Sequence, residues 1–102
     1  MSFSDAVMMG LASDGGLIVP ESIPDVRPRL SQLASLSYSD LAFQIMQPFA
    51  DDIDARAFED LVSRSYAQFQ HAETAPLVPV GDVSVLELFH GPTLAFKDIA
   101  LQ

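Results

Sequence analysis

The spacing of apolar residues changes along the chain. Between Ser39 and Phe69 it is helical: Leu41, Ala42, Ile45, Met46 and Phe49 share one face, and Phe58, Leu61, Val62, Ser65, Tyr66 and Phe69 share another. Ser39 and Asp54 stand where N-caps belong, and Pro48 ends or bends the first of these helices. The short "DDID" link between them predicts a helical hairpin with its two stripes in contact. Near the start, Ser2 and Asp5 have the S-x-x-D spacing of a helix beginning, with Gly10 as its stop and Phe3, Val7 and Met8 as its apolar side.

Elsewhere the pattern is extended. "SDGGLIVPESIP" carries a Gly-Gly turn, three apolar residues and two prolines, which predicts a turn, a short strand over 17–19 and a loop. After His71, "APLVPVGDVSVLELFHGPT" predicts strands from Leu77 to Val80 and from Val83 to Phe89 around a turn at Gly81 and Asp82. Gly91-Pro92 then breaks the chain into a loop. "LAFKDIALQ" resumes helix-compatible residues with no cap, glycine or proline to close it, so the expectation is a helix interrupted in its first turns and a polypeptide that continues. The fold class expected is α+β, helices packed on a small β-sheet. Residues 1–76 form a mainly helical region and 77–102 a strand–loop–helix start. Apolar surface left uncovered in such a fragment would favour self-association, as a dimer or a swapped assembly.

Composition narrows the functional classes. The 102 residues are 49% hydrophobic with seven phenylalanines, so the chain has the material for a core. Five basic against fourteen acidic residues give a formal charge of -9, which disfavours nucleic acid and anionic membranes as partners. There is no cysteine, no secretory-type start and no apolar run of membrane-spanning length, so the expected location is cytoplasmic.

Lys97 is the only lysine, placed where a strand and loop give way to a helix. A helix N-terminus favours an acid there and disfavours the ammonium form. That field is worth about 0.3–1 kcal/mol, too little by itself to neutralise an amine; burial or a covalent imine would have to do the rest. The other reading is a solvated surface lysine. A Walker loop is excluded, because Gly91 stands alone and Lys97 precedes Asp98 rather than Ser or Thr. His71 and His90 are too few and too far apart in sequence for zinc, and "DDID" lacks the glycine and glutamate of a calcium loop, so no metal is expected.

Two stretches carry a resemblance. "GLASDGGLIVPE" (residues 10–21) and "ELFHGPTLAFKDIALQ" (residues 87–102) resemble, in order, an N-terminal motif and the cofactor-lysine segment of the threonine synthase family, pyridoxal-phosphate enzymes of the tryptophan-synthase β-like α/β group, fold type II. The resemblance implies that Lys97 forms the Schiff base with pyridoxal 5'-phosphate and later carries protons. It implies that Phe96 helps wall the cofactor and that Thr93 offers a hydroxyl to cofactor or substrate. The activity implied for the parent enzyme is conversion of O-phospho-L-homoserine and water to L-threonine and phosphate, by γ-elimination and β-addition. Asp14, Gly15 and Gly16 are expected to form a turn, and Asp98 to be structural. The ligands for the cofactor's phosphate and ring nitrogen are expected beyond Gln102, in the remainder of the same polypeptide, leaving the fragment alone inactive. Two rivals remain: a dehydratase or β-replacing synthase of the same fold, which usually has Ser and Gly before F-K where Leu94-Ala95 stand here, and a non-catalytic acidic interaction module.

Overall fold

Side-chain caps set the helix starts. The computed structural model describes residues 1–102 throughout. Ser2 accepts the Asp5 N–H and opens α1 (Phe3–Met9), which Gly10 closes by donating its N–H to the Ala6 carbonyl. A single 3-10 turn over Arg27–Arg29 leads into the one-turn α2 (Leu30–Leu33). Ser37 accepts the Asp40 N–H and opens α3 (Tyr38–Met46). Asp54 accepts from Ala57 and opens α4 (Ala55–Tyr66). The cap of α3 is therefore Ser37 and not Ser39, which lies inside the first turn. "SYSD" offers the S-x-x-D spacing only from Ser37. Pro48 does end α3: a 3-10 turn over Gln47–Phe49 follows directly.

α3 and α4 pack as the expected hairpin, joined by aromatic rings. Tyr38 meets Tyr66 edge-on at 5.0 Å between centroids, Phe43 meets Phe58 at 6.1 Å, and Tyr66 meets Phe69 at 5.5 Å. Val62, Phe69, Ala50 and Leu33 are the buried apolar residues. α1 is tethered to the α3–α4 link, where the Asp52 carboxylate accepts the Ser4 N–H at 3.0 Å. Ser4, first through its side chain, holds the Asp52 carboxyl below its ordinary pKa.

The extended segments are shorter than their sequence suggests. β1 (Leu77–Val80) and β2 (Val83–Leu86) form an antiparallel ribbon with Val80 opposite Val83. Its two-residue turn places Gly81 first, at φ +60°, as such hairpins require. β2 stops at Leu86 rather than Phe89: Glu87 donates to the Pro76 carbonyl, but Pro76 has no N–H to return. The strand expected at 17–19 is absent. Asp14 accepts the Gly16 N–H at 2.8 Å and forms the expected turn, yet only one bridge, Leu11 to Leu17, extends from it. Val19 is left 74% exposed, without a neighbouring strand to pair with.

This architecture leaves much apolar surface uncovered. Only 8 of 102 residues are buried, and the accessible surface is 7664 Å², against ~5,700 Å² for a closed globule of this mass. The radius of gyration, 15.6 Å, likewise exceeds the ~13 Å of a compact domain. Leu77, Val80, Val83, Leu86 and Phe89 are each at least half exposed, so the ribbon is a layer with little packed against it.

The cap assignment has a direct test. Ser37→Ala should cost about 1 kcal/mol of stability in denaturant unfolding, and Ser39→Ala less than about 0.5 kcal/mol. The reverse order would restore Ser39 as the cap.

Candidate functional site

The loop that leaves β2 is fastened at its start by polar contacts. Glu87 lies 2.9 Å from His90 Nε2, and the His90 ring packs on His71 with centroids 4.7 Å apart. The His90 carbonyl accepts the Gln70 N–H at 2.8 Å, and His71 Nδ1 accepts the Glu73 N–H. The two histidines, distant in sequence, thus meet in space, and His90 acts as a loop hydrogen-bonder. The segment after α4 and the segment before Lys97 are held together there.

The loop is closed at its other end by Asp98. This residue opens a one-turn helix, α5 (Asp98–Leu101), and is only 3% exposed. Its carboxylate turns back toward Thr93. Oδ2 accepts the Thr93 N–H at 2.8 Å, and Oδ1 accepts the Thr93 hydroxyl at 2.7 Å and the Gln102 amide at 3.1 Å. Gly91 is buried against the same carboxylate. A Cβ there would lie 2.7 Å from Asp98 Cγ and closer still to Cβ and Oδ2, so only glycine admits this approach. Between the two ends, Leu94 takes φ +63°, the tight bend that lets the chain double back.

The Thr93 side-chain hydrogen bond, chiefly, holds the Asp98 carboxyl below its ordinary pKa. Desolvation works the other way and is outweighed, because the group is covered by its own loop rather than by a deep interior.

A second tie comes from the hairpin. The Tyr66 hydroxyl, at the end of α4, donates to the Ile99 carbonyl in α5 at 2.9 Å. Desolvation, with Tyr38 adding to it, raises the Tyr66 pKa, so the phenol keeps its proton and remains a donor. Sequence periodicity had placed Tyr66 in the core without signalling this bond.

Among the expected site residues, Lys97 is exposed and makes no salt bridge. It directly precedes α5. Phe96, beside it, is 66% exposed. The Thr93 hydroxyl donates to Asp98, and its oxygen accepts the Ala95 N–H at 3.4 Å, which leaves one lone pair for another partner. A cleft of about 480 Å³ lies elsewhere, lined by Phe3, Val7, Ile18, Val19 and Phe49 among others. It holds none of these groups, so the candidate chemistry stays with the loop.

The comparisons with known proteins agree with one another. The family model described as "Threonine synthase N terminus" matches residues 1–66. The chain is similar to threonine synthase of Pseudomonas aeruginosa, at 50% identity over all of this chain and 22% of the relative. It is similar to threonine synthase of Saccharomyces cerevisiae at 45% identity, again over all of this chain and 22% of the relative. Among solved structures, the crystal structure of PLP-bound threonine synthase from Brucella melitensis superposes with a TM-score of 0.91 at 43% identity, over 97% of this chain and 22% of that one. The chain therefore spans about a fifth of the length of the relatives it matches.

Acid titration tests the loop closure. A carboxyl whose folded pKa is depressed stabilises the fold above its unfolded value, about 3.9, and that contribution is lost as pH falls through the lower folded value. The Thr93 amide resonance should accordingly stay unchanged from pH 7 to 5 and move only below the usual carboxylate range. Movement centred above pH 4.5 would show that the carboxylate is not held in this way.

Proposed function

This chain belongs to the threonine synthase family, and on that premise we propose that it is the part of a pyridoxal-phosphate enzyme that supplies the cofactor's attachment lysine, Lys97. The parent reaction is conversion of O-phospho-L-homoserine and water to L-threonine and phosphate, in the cytoplasm. The observation that carries the reading is an exposed amine without an ion pair, on a loop fastened at both ends, within a segment that resembles the family's lysine motif. When bound, pyridoxal phosphate supplies an electron sink for carbanions that no side chain could stabilise.

The residues here fit one end of that cofactor. A primary amine is the side chain that can bond an aldehyde carbon, and Lys97 Nζ is open to it. As a free amine, Lys97 Nζ would take up and return a proton at a substrate held beside it. The exposed Phe96 ring would form a wall beside the amine and exclude water from one side. Thr93 contributes mainly by ordering the loop, with a lone pair available to a donor. The four arginines stand on other elements: Arg27 and Arg29 in the 3-10 turn, Arg56 and Arg64 on α4. The phosphate and ring-nitrogen ligands are assigned to the remaining polypeptide of the parent, and the 102-residue chain by itself should not turn over.

The same remaining polypeptide is the natural cover for the exposed β1–β2 ribbon and the loop beyond it. Without that cover, a second copy of the chain can bury the same residues, which supports self-association.

In the full-length parent, Lys97→Arg should abolish threonine formation, a loss of at least about a thousandfold in kcat, because guanidinium cannot replace the amine in bond formation. Retention of full activity would refute the assignment. For the isolated chain, light scattering at high concentration should give a mass above that of the monomer; a strictly monomeric mass would contradict the uncovered-surface reading.

A further inference from the structure

Asp98 is the immediate neighbour of the only lysine, yet its carboxylate points the other way. All its hydrogen bonds go to Thr93 and Gln102, it takes part in no salt bridge, and neither does Lys97. We propose that Asp98 is a positioning residue for Lys97: with Thr93 it closes the 91–98 loop, and it is thereby kept from pairing with the amine beside it. The inference rests on the reading of Lys97 as the cofactor's attachment point.

Three features of the loop converge on this role. Gly91 leaves no Cβ where the Asp98 carboxylate sits, so the backbone can approach it closely. Leu94 accepts a left-handed conformation, a strain that the closed loop sustains. Thr93 spends both its N–H and its hydroxyl on the two oxygens of one carboxylate, a two-point clasp that fixes orientation as well as distance. α4 adds one titratable group to the neighbourhood: Tyr66, whose neutral hydroxyl donates to the Ile99 carbonyl. No charged group from another element joins Asp98.

The clasp has two consequences for Lys97. Its backbone is held within a fixed ring, which pre-sets the direction from which Nζ approaches an aldehyde. A free carboxylate next in sequence would otherwise be available to pair with the ammonium form, which cannot attack a carbonyl. Spending that carboxylate on Thr93 removes the competition.

The test uses the full-length parent with Thr93→Val, which keeps shape and removes the hydroxyl, Thr93→Ser, which restores it, Asp98→Asn, and the double variant T93V/D98N. Reductive methylation at Lys97, mapped by mass spectrometry in the cofactor-free protein, gives the pH profile of the amine. Pyridoxal-phosphate binding is measured separately by its visible absorbance. T93V should move the methylation profile to higher pH by a few tenths of a unit, up to about 0.7, the range of an exposed ion pair. T93S should follow the unmodified parent, and T93V/D98N should return the profile, because the freed carboxylate is then gone. Cofactor affinity should fall about ten- to a hundredfold in T93V and D98N, and recover to within about threefold in T93S. Unchanged profiles and affinities in T93V and D98N would overturn the proposal. So would a loss of affinity in T93V that T93S shares or that leaves the profile unmoved, since either assigns Asp98 to fold maintenance alone. If D98N does not fold, the T93V and T93S pair decides. Failure of the underlying reading would show differently, as an unmodified parent in which pyridoxal phosphate attaches elsewhere than Lys97.

Discussion

A single buried carboxylate organises the end of this chain. Asp98 gathers an N–H and a hydroxyl from Thr93 and an amide from Gln102, with Gly91 pressed against it. These contacts convert "GPTLAFKD" from a run containing a breaker pair into a closed loop. Removing the carboxylate would take away the acceptor of both Thr93 donors. The acid nearest to Lys97 in sequence is thus engaged elsewhere, and the amine is exposed and makes no salt bridge.

The loop is not free-standing. Tyr66 reaches α5 from the end of α4, and His90 ties the loop's start to the segment after Phe69. The helical hairpin therefore acts as a brace, with the Tyr38–Tyr66–Phe69 rings as its joint. What the brace lacks is a roof. The accessible surface is 7664 Å² over 102 residues, and Leu77, Val80, Val83 and Leu86 of the ribbon are each more than half exposed. The relatives, of which this chain covers 22%, are more than four times as long.

Local chemistry was readable from the residues, and long-range chemistry was not. The caps at Ser2 and Asp54, the stop at Gly10 and the Gly81 hairpin each depend on a few adjacent residues, and each stands where its motif places it. The Ser37 cap was just as explicit in "SYSD", but the later serine fits the apolar stripe equally well, and periodicity alone does not separate the two. The 17–19 segment has strand-like residues, yet strands exist only as pairs, and no partner beyond Leu11 is present. At the candidate site, the lysine was singled out by a motif resemblance. The clasp was not: a carboxylate bonding back five residues while packed against Gly91 is specified by loop geometry that no spacing rule encodes. Nor did the sequence separation of His71 and His90 foretell their contact.

The account stands on Lys97 being the point at which the parent protein holds its cofactor. Reducing the pyridoxal-phosphate-loaded parent with borohydride, digesting it and mapping the pyridoxyl label measures this directly. The label should sit stoichiometrically on the peptide containing Phe96, Lys97 and Asp98. Its appearance on a different lysine, or its absence from a loaded and reduced protein, would contradict the account.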